Sequence, residues 1–167
     1  MCIREFRVGE EMALHAVFHS AVHQLACQDY TAEQIDAWAP FVFDQLLWVQ
    51  RMRAIRPFVV EVAGQVVAYA DVQPSGYVDH FFVSGPFARH GIGSRLMKHL
   101  HQAANAQGIT VLASDVSRTA QSFFKQFGFA VVEQRSPVIR GVVVPNALMR
   151  KDLAANQSFQ GTASGGP

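Results

Sequence analysis

The stretch that decides the fold is Phe81-Phe82-Val83-Ser84-Gly85-Pro86-Phe87-Ala88-Arg89-His90-Gly91-Ile92-Gly93-Ser94. A β-rich run ends, a tight loop follows, and a helix opens at two glycines. The first turn of a helix has unpaired N–H groups and a partial positive charge. Glycine lets a ligand reach that backbone without meeting a Cβ. The pattern therefore predicts a cradle for a phosphate or diphosphate. It is not a dinucleotide fingerprint, because Leu96 stands at the third glycine position. Nor is it the phosphate loop of nucleotide triphosphatases, which needs Gly-Lys-Ser/Thr.

Downstream, Ile92, Leu96, Leu100 and Ala103 form one apolar stripe, which predicts a helix from Gly91 to Ala106 ended by Gly108. Ile109 to Ala113 reads as a buried strand. Ser117 is a candidate cap for a helix carrying Ala120, Phe123, Phe124 and Phe127, closed by Gly128. Ala130–Glu133 and Val142–Met149 read as the last strands. Residues 154–167 are rich in Gly, Ser and Gln and read as a flexible tail behind a single domain over 1–153.

Upstream, Tyr77–Val83 reads as a strand preceded by the turn Gln73-Pro74-Ser75-Gly76. Phe58–Val62 and Val66–Val72 flank Ala63-Gly64 as a hairpin. Short connections make these three strands antiparallel. Ile3–Arg7 reads as a first strand. Leu14, Phe18, Val22 and Leu25 predict a helix over residues 10–27. Thr31 and Gln34 have capping-box spacing for a second helix carrying Ile35 and Trp38, which stops before Pro40. Leu46–Met52 suggests a further short helix. This order predicts an α/β (α+β) domain with one mixed, largely antiparallel sheet of about seven strands and helices on both faces.

Half of the 167 residues are hydrophobic, enough for one packed core. A net charge of +1 gives no field for nucleic acid or an anionic membrane. Cys2 and Cys27 have no metal or disulfide spacing and read as reduced thiols of a cytoplasmic protein. The N-terminus does not read as a signal peptide, and no apolar run approaches a membrane span.

The loop resembles the pyrophosphate loop of the GNAT superfamily of N-acetyltransferases, Gln/Arg-x-x-Gly-x-Gly/Ala behind a strand ending in Val. The match covers Val83 and Gly91-Ile92-Gly93, and departs at Ala88, where Gln or Arg is usual. Arg89 or His90 would supply charge instead. Ser117-Arg118-Thr119-Ala120-Gln121-Ser122-Phe123-Phe124-Lys125-Gln126-Phe127-Gly128-Phe129 resembles the family's Asn-x-x-Ala-x-x-Phe-Tyr-x-Lys-x-Gly-Phe. Ser117 replaces Asn, Phe124 replaces Tyr and Gln126 replaces Lys. His19–His23, Asp29–Gln34, Ala37–Pro40, Arg140-Gly141-Val142 and Asn146 are similar to the YafP-like bacterial subgroup.

The resemblance implies acetyl-CoA as cosubstrate and a primary amine, of a small molecule or a peptide, as acceptor. By it Phe81, Phe82 and Val83 line the acyl arm, and the Val83 N–H polarises the thioester carbonyl. Gly91, Ile92, Gly93 and Ser94 hold the diphosphate, with Ser117, Ala120, Phe123 and Phe124 alongside. On a regular strand Asp79 shares a face with Phe81 and Val83, which makes it the candidate base or acceptor-orienting group. His23, Tyr30, Gln34 and Trp38 are the candidate acceptor contacts. Phe124 has no proton to give, which leaves the general acid open between Tyr30, Ser117 and a water. His15, His19 and His23 share one helical face. That stripe reads as polar or site-facing, because no carboxylate or cysteine completes a metal set; no metal is expected. His99 and His101 read as solvated. A non-catalytic acyl-CoA sensor is the alternative to the enzyme, which is expected as monomer or homodimer.

Overall fold

A computed structural model of the chain describes residues 1–154. The tail expected over 154–167 lies, from residue 155 on, outside the described residues. β1 (Cys2–Glu5), β2 (Phe58–Val62), β3 (Gln65–Ala70) and β4 (Phe81–Val83) form an antiparallel sheet in that order. The β2–β3 turn is Ala63-Gly64, and both residues have positive φ, as a tight right-twisted hairpin requires. α1 (Glu11–Leu25) buries Leu14, Val17, Phe18, Ala21 and Val22 beside this sheet. α2 (Ala32–Trp38) starts on the expected capping box: Thr31 Oγ1 accepts from the Gln34 amide at 3.2 Å, and Gln34 Oε1 from the Thr31 amide at 2.9 Å. α3 (Gln45–Ile55) starts on Asp44, whose Oδ1 accepts from the Leu47 amide.

The expected strand Tyr77–Val83 is shorter. Only Phe81–Val83 pairs as a strand, while the buried Asp71 carboxylate takes the His80 amide in place of a carbonyl at 2.6 Å. Tyr77 makes one parallel bridge to Ala113. A Cβ on Gly76, at φ +84, would lie 2.0 Å from the Val111 carbonyl oxygen. Glycine is thus what lets the two sheets touch there. Beyond this bridge β4 pairs, among the described residues, only with β3.

The second sheet has the order β5 (Val111–Ser117), β9 (Asn146–Asp152), β6 (Ala130–Arg135). β5 runs four residues past the expected Ala113. Its polar Ser114 and Asp115 disguise it: Ser114 Oγ donates to the Val78 carbonyl, and Asp115 accepts from the Tyr77 hydroxyl. Ser117 closes this strand rather than capping a helix. The helix α5 (Gln121–Gln126) starts one turn later, from Ala120. The expected strand Val142–Met149 is split at Pro145, which has no N–H to pair. Its first part becomes β8 (Val142–Val143), in a hairpin with β7 (Val138–Ile139). Among the described residues nine short strands in three groups therefore stand where about seven in one sheet were expected, but the α/β layering holds. α4 (Ile92–Ala106) packs Ile92, Leu96 and Leu100 on the first sheet and Met97 and Ala104 toward the second, where Phe124 of α5 joins them. No helix of the described residues is long and apolar enough to cross a membrane.

Candidate active site

The β4 edge that turns from β3 is set by register. Ser84 donates to the Val67 carbonyl, and the Asp71 amide to the His80 carbonyl. Alternate residues of an antiparallel ladder bond to the same neighbour. His80, Phe82 and Ser84 therefore spend their backbone on β3, and the amides of Phe81 and Val83 face the opening between the sheets. α4 begins at the head of that opening. Its N-cap is Gly91, left-handed at φ 78, and no side chain caps it. The first ladder bond runs from the Arg95 amide to the Gly91 carbonyl. The amides of Ile92, Gly93 and Ser94 take no partner among the described residues.

A cleft of about 490 Å³ joins these features. Phe81, Phe82 and Val83 form one wall, Arg89, Gly91, Gly93 and Ser94 the helix end, and Ser117, Ala120 and Phe123 the far wall. A Cβ on Gly93 would point at Phe123 and Val83, at 3.4 and 3.7 Å. An uncapped helix start over an open, partly apolar cleft fits a diphosphate-bearing coenzyme. Three expected contacts do not line it. His90 is exposed and its Nδ1 lies 2.8 Å from the Ala88 carbonyl. The Ile92 side chain is buried under the first sheet. Phe124 is buried edge-on to Phe81 and Phe129.

A second cavity, of about 670 Å³, meets the first at Trp38, Phe82 and Ser117, which line both. Its walls are largely aromatic. Phe18 stacks with Trp48 at 5.4 Å and meets Phe82 edge-on at 5.0 Å. Asp79 reaches this cavity together with His80 and Phe82. It does not share a face with Phe81 and Val83, because the strand it was assigned to starts two residues later. Arg51 holds Asp79 Oδ2 from Nη2 at 2.5 Å and Nε at 3.1 Å.

His80 Nε2 lies 3.6 Å from the same Asp79 oxygen, and its Nδ1 lies 2.9 Å from the fully buried Tyr69 hydroxyl. That hydroxyl has no other acceptor among the described residues, which assigns its proton to Nδ1 and leaves the imidazole protonated at Nε2. Burial pushes the His80 pKa down to about 4 and the Tyr69 hydroxyl well above its ordinary value. Both are neutral at physiological pH.

Tyr30 also lines this cavity, but its hydroxyl is committed: it donates to the Pro145 carbonyl at 2.6 Å and accepts from the Arg118 amide at 2.9 Å. Burial raises its pKa. Gln34 lies outside, where Nε2 donates to the Val143 carbonyl and ties α2 to β8. His23 also lies outside, 2.7 Å from the Ala39 carbonyl in a separate groove with His19 and Phe41. The histidine stripe is a stacking surface. His15 lies on Phe43 at 3.6 Å and His19 on His23 at 3.9 Å. Among the described residues no three His, Cys, Asp or Glu are grouped to hold a metal ion. His99 and His101, expected in solvent, are half-buried.

Compared with known families, residues 26–150 match the model of the acetyltransferase (GNAT) domain. The chain belongs to the GNAT acetyltransferase family. It is 32% identical over 148 residues to the uncharacterized N-acetyltransferase YafP of Escherichia coli, covering 89% of this chain and 93% of that one. A GCN5-related N-acetyltransferase from Rhodopseudomonas palustris has the same fold, with a TM-score of 0.86, 24% identity and coverage of 90% and 94% of the two chains. The PaiA N-acetyltransferase of Thermoplasma acidophilum, solved with coenzyme A, gives a TM-score of 0.70 at 15% identity, covering 90% and 98%.

In this GNAT domain sequence reading missed Arg51, His80, Trp48 and Asn146, all of which line the second cavity. Two of them carried a signal, His80 as the neighbour of Asp79 and Asn146 through the subgroup resemblance, which gave it no role in the site. Arg51 and Trp48 come from α3, far from any motif.

Proposed function

We infer that the chain transfers the acetyl group of acetyl-CoA to a primary amine of a small molecule or peptide, by direct attack with both substrates bound. One observation carries this reading: the cleft under the bare start of α4 opens, at Trp38, Phe82 and Ser117, into a separate cavity that contains a carboxylate.

Acetyl-CoA supplies an acetyl group activated as a thioester. The amides of Gly93 and Ser94 bind diphosphate oxygens, with Arg89 at the rim as the nearby cation. The outward Val83 amide is a fixed donor for an oxygen that gains charge as the amine attacks. In the second cavity Asp79 orients the amine and takes its proton, directly or through a water. His80 stays neutral and packs behind Asp79 as a rigid support. Ser117, which lines both cavities, offers a hydroxyl where they meet. Its Oγ accepts from the Ala120 amide at 3.3 Å and keeps its own proton to give. A thiol titrates near ~8.5, so departure as thiolate needs little help at neutral pH. Free, exposed Cys2 and Cys27 suit a reducing compartment such as the cytoplasm.

The second reading, a non-catalytic acyl-CoA sensor, is favoured by one observation: the Tyr30 proton is already donated to Pro145. Thiol release from acetyl-CoA with a panel of amines, beside calorimetry of CoA, separates the two. Binding without turnover on any amine supports the sensor. Absence of binding removes both.

A further inference from the structure

The acceptor cavity offers little to a polycation. Three carboxylates line it, Asp44, Asp79 and Asp115. Asp44 is exposed at the mouth and caps α3. Asp115 uses both oxygens, Oδ1 accepting from Arg135 and Oδ2 from the Tyr77 hydroxyl, each at 2.8 Å. Asp79 gives Oδ2 to Arg51, and only its Oδ1 takes no hydrogen bond among the described residues. Arg51 and Arg140 line the same space. That leaves one interior carboxylate oxygen for one ammonium group. An amine with several charges would bring the others into an apolar wall without partners, which is costly.

The rest of the cavity asks for hydrocarbon. Phe18, Trp38, Phe43, Trp48 and Phe82 line it, and Leu47 continues the wall to the mouth. Between the lining residues Pro40 and Phe43, the side chains of Phe41 and Val42 are 75% and 90% exposed. One polar group of the lining lacks a partner. Asn146 faces Ser117 across the β5–β9 pair, and its Oδ1 is buried without a hydrogen bond.

We propose that the acceptor is a monocationic primary amine carried on an apolar body. Asp79 Oδ1 holds the ammonium group, and the Asn146 amide is its second acceptor. The body lies among the aromatic rings and leaves over Phe41 and Val42. As an account of a substrate this rests on the acetyltransferase reading; as an account of a ligand it is tested by binding alone.

The chain has two tryptophans, Trp38 and Trp48, and both line the cavity. Their fluorescence therefore reports occupancy without acetyl-CoA or turnover. Titration with octylamine and 2-phenylethylamine is expected to give saturable changes at concentrations at least ~10-fold below those for spermidine or kanamycin. Asn146→Ala is expected to weaken both monoamines by about tenfold at an unchanged melting temperature, and Asn146→Asp, which keeps an acceptor, to bind them. Tight monoamine binding with no thiol release would leave the ligand class standing and end the transfer reading. Equal or tighter binding of spermidine, no saturable change with either monoamine, or an Asn146→Ala protein that binds like wild type overturns the proposal.

Discussion

Arg51 and Asp79 meet across two elements, α3 and the segment before β4, and both arginine contacts fall on one carboxylate oxygen. The arginine side chain is 54% exposed and the aspartate 19%, so Arg51 can leave for water while Asp79 stays. An incoming ammonium group competes with that guanidinium. Arg51→Met is expected to lower the KM for amine and leave that for acetyl-CoA in place. Asp79→Asn is expected to lower kcat/KM ~100-fold, the usual scale for a lost proton acceptor. Steady-state thiol release on the two variants checks both. Wild-type turnover by Asp79→Asn would remove Asp79 from proton transfer.

Val83 can be tested through its backbone. Its amide faces the cleft and not β3, so Val83→Pro deletes one donor without deleting a ladder bond. The expected result is a folded protein by circular dichroism with kcat lowered ~100-fold or more, the scale for one lost oxyanion donor. An unchanged kcat would assign that donor to another group.

Gly93 separates fit from conformation. Its Cβ would meet Phe123 and Val83 at ordinary contact distance, so alanine fits, whereas a longer side chain enters the cleft. Gly93→Leu is expected to weaken CoA more than tenfold by calorimetry, at about the ~1.4 kcal/mol that a tenfold change represents, while Gly93→Ala stays near wild type. Equal affinities in all three proteins would move the coenzyme elsewhere.

What was readable in the chain is what its backbone decides locally. The loop at Phe81–Ser94 carries a strand end, a bare helix start and three glycines within fourteen residues. Thr31 and Gln34 bond each other's amides, so their spacing alone announces α2. The misreadings at β4, β5 and the second cavity come from side chains acting at a distance. Asp71 reaches across to take the His80 amide, and no alternation pattern records that β4 then starts four residues late and turns Asp79 to the other cavity. Ser114 and Asp115 look like loop residues until Val78, Tyr77 and Arg135 occupy them. Arg51 and Trp48 sit on a helix whose period says which face is apolar but not which cavity it closes.

Tyr30 tests structure against chemistry. Its hydroxyl satisfies the Arg118 amide and the Pro145 carbonyl together. Tyr30→Phe strands both, at a cost of about 1–3 kcal/mol. Denaturant unfolding is expected to show that loss with kcat retained. A kcat loss at unchanged stability, with the basic limb of the pH profile displaced, would instead make Tyr30 the acid.

Asp71 and His80 should oppose each other in acid. Burial raises the Asp71 carboxyl from 3.8 to about 6 and lowers the His80 imidazole from 6.5 to about 4. The Asp71 contribution to stability is full below its unfolded value of 3.8 and is lost as pH rises through 6. The His80 contribution is full above 6.5 and is lost as pH falls through 4. Each amounts to about 3 kcal/mol over its window. The slopes oppose each other between about pH 4 and 6, so removing either residue uncovers the other. Asp71→Asn is expected to lose melting temperature as pH falls from 6.5 to 4, and His80→Gln to gain it. Parallel profiles for the two variants would show that neither group titrates where its burial places it.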